Sequence, residues 1–224
     1  MGLEAQGLRR HRTAAHRRHL HRAHATRPCV TARRSDTRER MLDSASELIR
    51  QRGASATSID DILAHSGTPR GSVYYHFPAG RTQIIEEAVD RAGGAVERLL
   101  ADAGDATPVE LFDRFVAAWR SNLIASDFRS GCPVLAAAIE STDDAPTTVD
   151  AARRAFTSWR TALAGHLRQH GASPARARRL ANVIVGAVEG AVVLSRAEQS
   201  IQPVDDVTAT LRPLLQAAST PPAA

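Results

Sequence analysis

Residues 68–81 read TPRGSVYYHFPAGR and gather three of the chain's nine aromatic residues between two arginines. Side chains of these types can read a nucleic acid. Arg70 can fork onto a phosphate or onto the two acceptors of a guanine edge, and Ser72 can bond a base edge or a phosphate. Gly71 has no side chain to hold the backbone away. Tyr74 and Tyr75 offer ring faces to thymine methyls and hydroxyls to phosphates. His76 suits packing or a phosphate contact, since no acid or nucleophile stands at a spacing that would make it a catalytic base. Phe77 lies four residues after Val73, an inward spacing on a helix, and belongs to a core. Tyr75 falls opposite that inward stripe, and Tyr74 lies between the two.

Two short helices must position this stretch. SIDDILAHSG opens with Ser58 and carries Asp61 three residues on, a capping-box pattern, and Gly67 closes the helix. Ser58 is counted with the DNA-contacting residues. Thr68 is expected to cap a second helix with Pro69 at its first position, where the missing N–H is harmless. Two short helices across a glycine-containing turn, the second polar at its exposed front, make a helix-turn-helix over 58–77. An earlier helix over 35–53, capped by Ser35 or Asp36, turns Met41, Leu42, Ala45, Leu48 and Ile49 to one face. After Pro78-Ala79-Gly80, Arg81 opens a long helix reaching 102. Its N-terminus suits a phosphate, with Arg81 as a further phosphate contact. Gly93-Gly94 inside that helix reads equally as a hinge or as a point of close packing.

Charge is distributed unevenly. All 29 basic residues are arginine, and residues 1–34 hold nine of them against one acid, Glu4. The remainder holds 20 arginines and 23 acids, so the net +5 belongs to the tail. A body this close to neutral binds nucleic acid only through a local positive face. The Arg/His-rich tail reads as a disordered arm for phosphates, as a weak metal tract, or as a segment upstream of the natural start at Val30; the last is preferred. Cys29 and Cys132 are far apart, which fits a reducing compartment without disulfides. No uninterrupted apolar run approaches the roughly 18 residues of a membrane span. A cytoplasmic protein is expected, with no metal or cofactor and no membrane partner.

The stretch TRERMLDSASELIRQRGASATSIDDILAHSGTPRGSVYYHFPAGRTQIIEEAV resembles the N-terminal domain of TetR-type transcriptional repressors. Helix, helix-turn-helix and YYHF followed by Pro, Gly and a base occur in that order. Pro69-Arg70-Gly71-Ser72 and the later GCPV, residues 131–134, are similar to the LmrA/YxaF-type subgroup. That subgroup usually carries lysine where this chain has Arg81. The resemblance implies a second domain that dimerises and binds a small apolar or aromatic effector that releases DNA.

The second half reads as more helices. Phe112, Phe115, Val116, Trp119 and Leu123 share one face, and Phe156, Trp159, Leu163, Leu167 and His170 another. These aromatics are core singly, and as a group they can wall an apolar ligand site, with Phe115, Trp119, Phe156 and Trp159 as its candidates. Cys132, at a helix start, is inert or a redox sensor. The helix over 174–199 is apolar nearly all round from Leu180 to Leu194, and a last helix follows. Such a pair needs a partner, expected to be the same pair in a second subunit. Asn182 and Glu189 are its polar exceptions, either anchors for a ligand or bonds across the dimer.

The expected architecture is all-α. An N-terminal three-helix helix-turn-helix domain (35–96) is joined by a long helix to a C-terminal helical ligand-binding and dimerisation domain (103–218). The expected function is a ligand-released repressor acting on a palindromic operator in double-stranded DNA. An activator or a ligand-independent DNA-binding protein is the alternative. No nucleophile–base pair or phosphate-cradling loop points to an enzyme.

Overall fold

The computed structural model describes residues 30–140 and 146–218. Expectations for the tail at 1–29 and for the acidic stretch at 141–145 lie outside the described residues. Among the described residues every regular element is helical: α1 (Val30–Arg52), α2 (Ile59–Ser66), a 3-10 turn (Arg70–Ser72) running into α3 (Val73–His76), α4 (Arg81–Ala101), α5 (Pro108–Ala125), α6 (Pro133–Ile139), α7 (Pro146–Gln169), α8 (Pro174–Glu198) and α9 (Gln202–Ala218).

The apolar face of α1 lies as the spacing dictates. Met41, Leu42, Ala45, Leu48 and Ile49 are all buried. Helix α1 is already formed at Val30, the first described residue, so neither Ser35 nor Asp36 caps it. An unbroken run of non-proline residues continues the helix toward the N-terminus, and both sit inside it.

Helix α4 runs unbroken through Gly93-Gly94. A Cβ on Gly93 would lie 2.6 Å from that of Ala155 on α7, and the Trp159 indole donates to the Gly93 carbonyl at 2.9 Å. Close packing, not hinging, accounts for this glycine. Phe77 and Met41 at one end and Trp159 at the other belong to one continuous core, so α4 stiffly joins the two halves.

Pro108 and Pro174 each occupy the first turn of their helices, behind side-chain caps from Thr107 and Ser173. By length and mean composition α8 would suffice to cross a membrane, although charged and small residues interrupt its apolar run. Here its inner face, including Ile184, Val188 and Val192, is buried in the bundle against α7 and α9.

Candidate nucleic-acid interface and effector cavity

The helix-turn-helix is built from reciprocal caps. Ser58 accepts the Asp61 N–H at 3.1 Å, and the Asp61 carboxylate accepts the Ser58 N–H at 3.1 Å. The Ser58 hydroxyl also donates to that carboxylate, and this bond first, then the one from the Ser58 N–H, holds the Asp61 carboxyl below its usual range. Gly67 ends α2 in the left-handed region at φ 63°, where a side chain would be strained. Arg40 of α1 donates to the Ser66 and Gly67 carbonyls, satisfying the helix end.

Thr68 departs from expectation. Its side chain is buried, and its hydroxyl lies 2.6 Å from that of Ser66. Pro69, extended, precedes the 3-10 turn instead, with no side-chain cap. Thr68 therefore holds the turn together and presents nothing to a ligand. Arg81 departs too. Its guanidinium donates to the carbonyls of Ala54, Ser55 and Thr57 at 2.5, 3.2 and 2.8 Å, stapling the α1–α2 loop to the start of α4. A guanidinium whose Nε and Nη2 bond three carbonyls acts as a structural clamp.

The remaining candidates are exposed or half-buried. Val73 and Phe77 are buried, while Tyr74 and Tyr75 are 64% and 59% exposed, the most exposed aromatics of the described residues. The Arg38 guanidinium covers the inner Phe77 ring at 5.0 Å. His76 is half-buried, edge-to-face with Tyr75 at 4.9 Å. Gly71 is exposed, and a Cβ there would meet nothing within 4 Å. The chain itself gives no reason for its lacking a side chain. Ser72 is half-buried beside it, and Ser58 is exposed at the head of α2. Arg70 pairs with Asp60, both well exposed. An exposed pair is worth at most about 1 kcal/mol, so a phosphate displaces Asp60 easily.

The seven candidate effector residues divide between two sites. Phe115, Trp119, Cys132 and Trp159 wall a cavity of about 270 Å³ between α4, α5, α6 and α7, which Arg50 of α1 also lines. Phe156, Asn182 and Glu189 lie on a separate open groove of about 900 Å³ between α6, α7 and α8. Helical spacing shows which residues share a face, and it does not show which neighbour that face meets. Arg50 and Asn122 were missed in the smaller cavity. Asn122 was findable, three residues after Trp119 on the same face of α5; Arg50 carried no signal.

In the smaller cavity the Trp119 Nε1 and the Asn122 Nδ2 are buried without hydrogen-bond partners, whereas Trp159 is satisfied by Gly93. Burial pushes the Cys132 thiol well above its ordinary value, and the Glu189 charge adds to this. The redox-sensor reading of Cys132 fails on that ground: desolvation outweighs the helix N-terminus, and a thiol that stays protonated is a poor nucleophile. Burial also lifts the Glu189 carboxyl to about 7, against the opposing effects of the Cys132 thiol and the Arg50 charge. Neither Glu189 oxygen makes a hydrogen bond of ordinary geometry.

Four polar contacts tie the second half to the end of α1 and the loop after it. The Ser130 hydroxyl donates to Glu47 at 2.8 Å and the Gly131 N–H to the Arg50 carbonyl at 2.9 Å. Arg196 donates to the Gln51 carbonyl at 3.0 Å, and Glu140 accepts the Ser55 N–H at 2.6 Å.

Comparison with known proteins agrees with this geometry. Residues 41–88 match the bacterial regulatory proteins of the tetR family, and residues 108–210 match the C-terminal domain of LmrA/YxaF-like transcriptional regulators. An uncharacterized HTH-type transcriptional regulator of Mycobacterium tuberculosis, Rv0196, is 42% identical over 80% of this chain and 94% of its own. The HTH-type transcriptional regulator LmrA of Bacillus subtilis is 29% identical over 81% of this chain and 97% of its own. The crystal structure of a TetR transcriptional regulator from Chloroflexus aurantiacus superposes with a TM-score of 0.69 at 29% identity, covering 83% of this chain and 96% of that one.

Proposed function

We infer the function from one premise: the chain belongs to the TetR family of bacterial regulators and carries an LmrA/YxaF-type C-terminal domain. It is a helix-turn-helix transcriptional regulator that binds DNA and acts as a dimer, and it is not an enzyme. Beyond that, we propose a repressor released from a palindromic operator by a small apolar or aromatic effector. Acting on the chromosome, it works in the cytoplasm.

The observation that carries this reading is the outward face of the 3-10 turn and α3. Tyr74 and Tyr75 stand exposed over a buried Val73 and Phe77, beside a Gly71 with open space around it. Such an arrangement fits a short helix laid into a major groove. The dimer is proposed to form through α8 and α9. Val183, Val193 and Leu194 of α8 and Leu214 of α9 are about half exposed, and nothing lies near the Cβ positions of Gly186 and Gly190. A partner helix on this face would also cover the larger groove, whose mouth Gly186, Gly190, Val193 and Leu194 form. Phe156, Asn182 and Glu189 are then read as interface neighbours, and the smaller cavity as the effector site.

The test is a footprint on the DNA upstream of its own gene and its neighbours, with Arg70→Ala and Tyr74→Ala alongside. A protected palindrome, weakened in both variants, is expected. Equal protection by the variants would remove this face as the reading surface.

A further inference from the structure

The smaller cavity is unevenly furnished. Its walls are aromatic and aliphatic, and two of the residues lining it carry buried N–H donors with no acceptor. Trp119 is 6% exposed, and its Nε1–H, which can only donate, is buried with no acceptor. Asn122, one turn on, has its Nδ2 buried and equally unpartnered. Arg50 lines the same cavity, and its charge is felt at Glu189 behind the wall. The other indole, Trp159, already spends its N–H on Gly93. The Cys132 thiol bonds weakly, accepting the Leu135 N–H at 3.4 Å. Buried donors without acceptors are costly, so a molecule that brings acceptors gains most there.

We propose that the cavity takes a one- or two-ring aromatic acid, its carboxylate accepting from Trp119 and Asn122 and facing Arg50. About 270 Å³, filled to the density of a protein interior, holds roughly 10 to 13 non-hydrogen atoms. The proposal rests on reading this cavity as the effector site, and it adds the effector's charge and its anchor residues. It also gives Arg50 a task. That residue belongs to α1, the scaffold of the helix-turn-helix, so a carboxylate that attracts it acts directly on the DNA-binding half.

The probes are 1-naphthoate, naphthalene and 1-naphthylmethylammonium, titrated against the full chain by quenching of its two tryptophans, which both line this cavity. Naphthoate is expected to bind at least about tenfold more tightly than either of the others, the worth of a hydrogen bond to a charged group. Trp119→Phe and Asn122→Leu should each remove most of that preference while naphthalene still binds, which shows that the cavity has survived the substitution. Arg50→Met should do the same. Equal or tighter binding of naphthalene or the ammonium overturns the proposal, as does no binding of naphthoate, or a preference that all three variants keep. The DNA complex is followed in the same samples. Naphthoate that binds with the expected selectivity yet leaves the complex intact supports the site chemistry and overturns effector release.

Discussion

Replacing Glu189 with glutamine should reveal how the bundle holds a buried carboxyl. Glu189 is 4% exposed, and burial lifts its carboxyl from 4.5 to about 7. In the unfolded chain the same group titrates near 4.5, so between these values the folded protein holds a proton that the unfolded chain has released. A raised carboxyl therefore loses stability as pH rises through that window. Below about 4.5 both states are protonated and nothing is lost; above about 7 the penalty is complete. A difference of that size corresponds to about 3 kcal/mol. Glutamine keeps the shape and never ionises. The stability of Glu189→Gln relative to the parent should thus grow by about 3 kcal/mol between pH 4.5 and pH 8, with pH-independent differences cancelling. Urea unfolding at one protein concentration, followed by tryptophan fluorescence at several pH values, measures this. A stability difference that stays flat from pH 5 to 8, or that shrinks as pH rises, refutes the account of a carboxyl ionised against burial.

Arg81→Ala should lower the melting temperature, because the loop after α1 loses a charged donor to three carbonyls; about 1 to 2 kcal/mol is expected. Arg70→Ala, whose partner among the described residues is exposed Asp60, should leave stability within about 0.5 kcal/mol and weaken operator binding instead, so thermal melts and DNA titrations on both variants separate clamp from contact. Gly93→Ala places a Cβ 2.6 Å from Ala155 and should destabilise by about 1 kcal/mol or more, despite the better helix propensity. Gly94→Ala meets only the end of Arg98, at 3.4 Å, and should stabilise by up to about 1 kcal/mol; urea midpoints of opposite sign for the two neighbours are the expected result.

Periodicity exposed most of the fold. The face holding Met41, Leu42, Ala45, Leu48 and Ile49, the Ser58–Asp61 box and the long α4 all depend on local spacing, and local spacing is written in the chain. Most of what it missed depends on encounters between distant segments; Thr68 is the local exception. Thr68 has the chemistry of a cap, but Ser66 captured its hydroxyl. Arg81 has the chemistry of a phosphate contact, but the carbonyls of the α1–α2 loop, about 25 residues earlier, captured its guanidinium. Cys132 sits where a helix would lower a thiol, but nearly complete burial reverses the sign. In each case two effects were visible in principle, and only the fold decided which was larger.

The same reasoning limits where an effector signal can travel. Helix α6 is short, and both of its ends face the DNA-binding half. Cys132, Pro133 and Val134 at its start wall the smaller cavity, with Ser130 and Gly131 just before them bonded to α1. Glu140, at its other end, holds Ser55 in the loop before α2. A hundredfold loss of operator affinity needs about 2.8 kcal/mol of coupling. The contacts through Glu47, Glu140 and Arg196 each involve a charged group and are worth about 1.5 to 3 kcal/mol where shielded, so breaking one or two suffices. A displacement of α6 by an occupant of the cavity would strain several of them at once. Ser130→Ala combined with Arg196→Met removes two of these ties without touching either the cavity lining or the outward face of α3. That double variant should bind an effector and operator DNA as the parent does, but each should weaken the other less. Titrating DNA with and without effector gives the coupling directly. A coupling unchanged in the double variant would route the signal elsewhere, through the continuous core along α4.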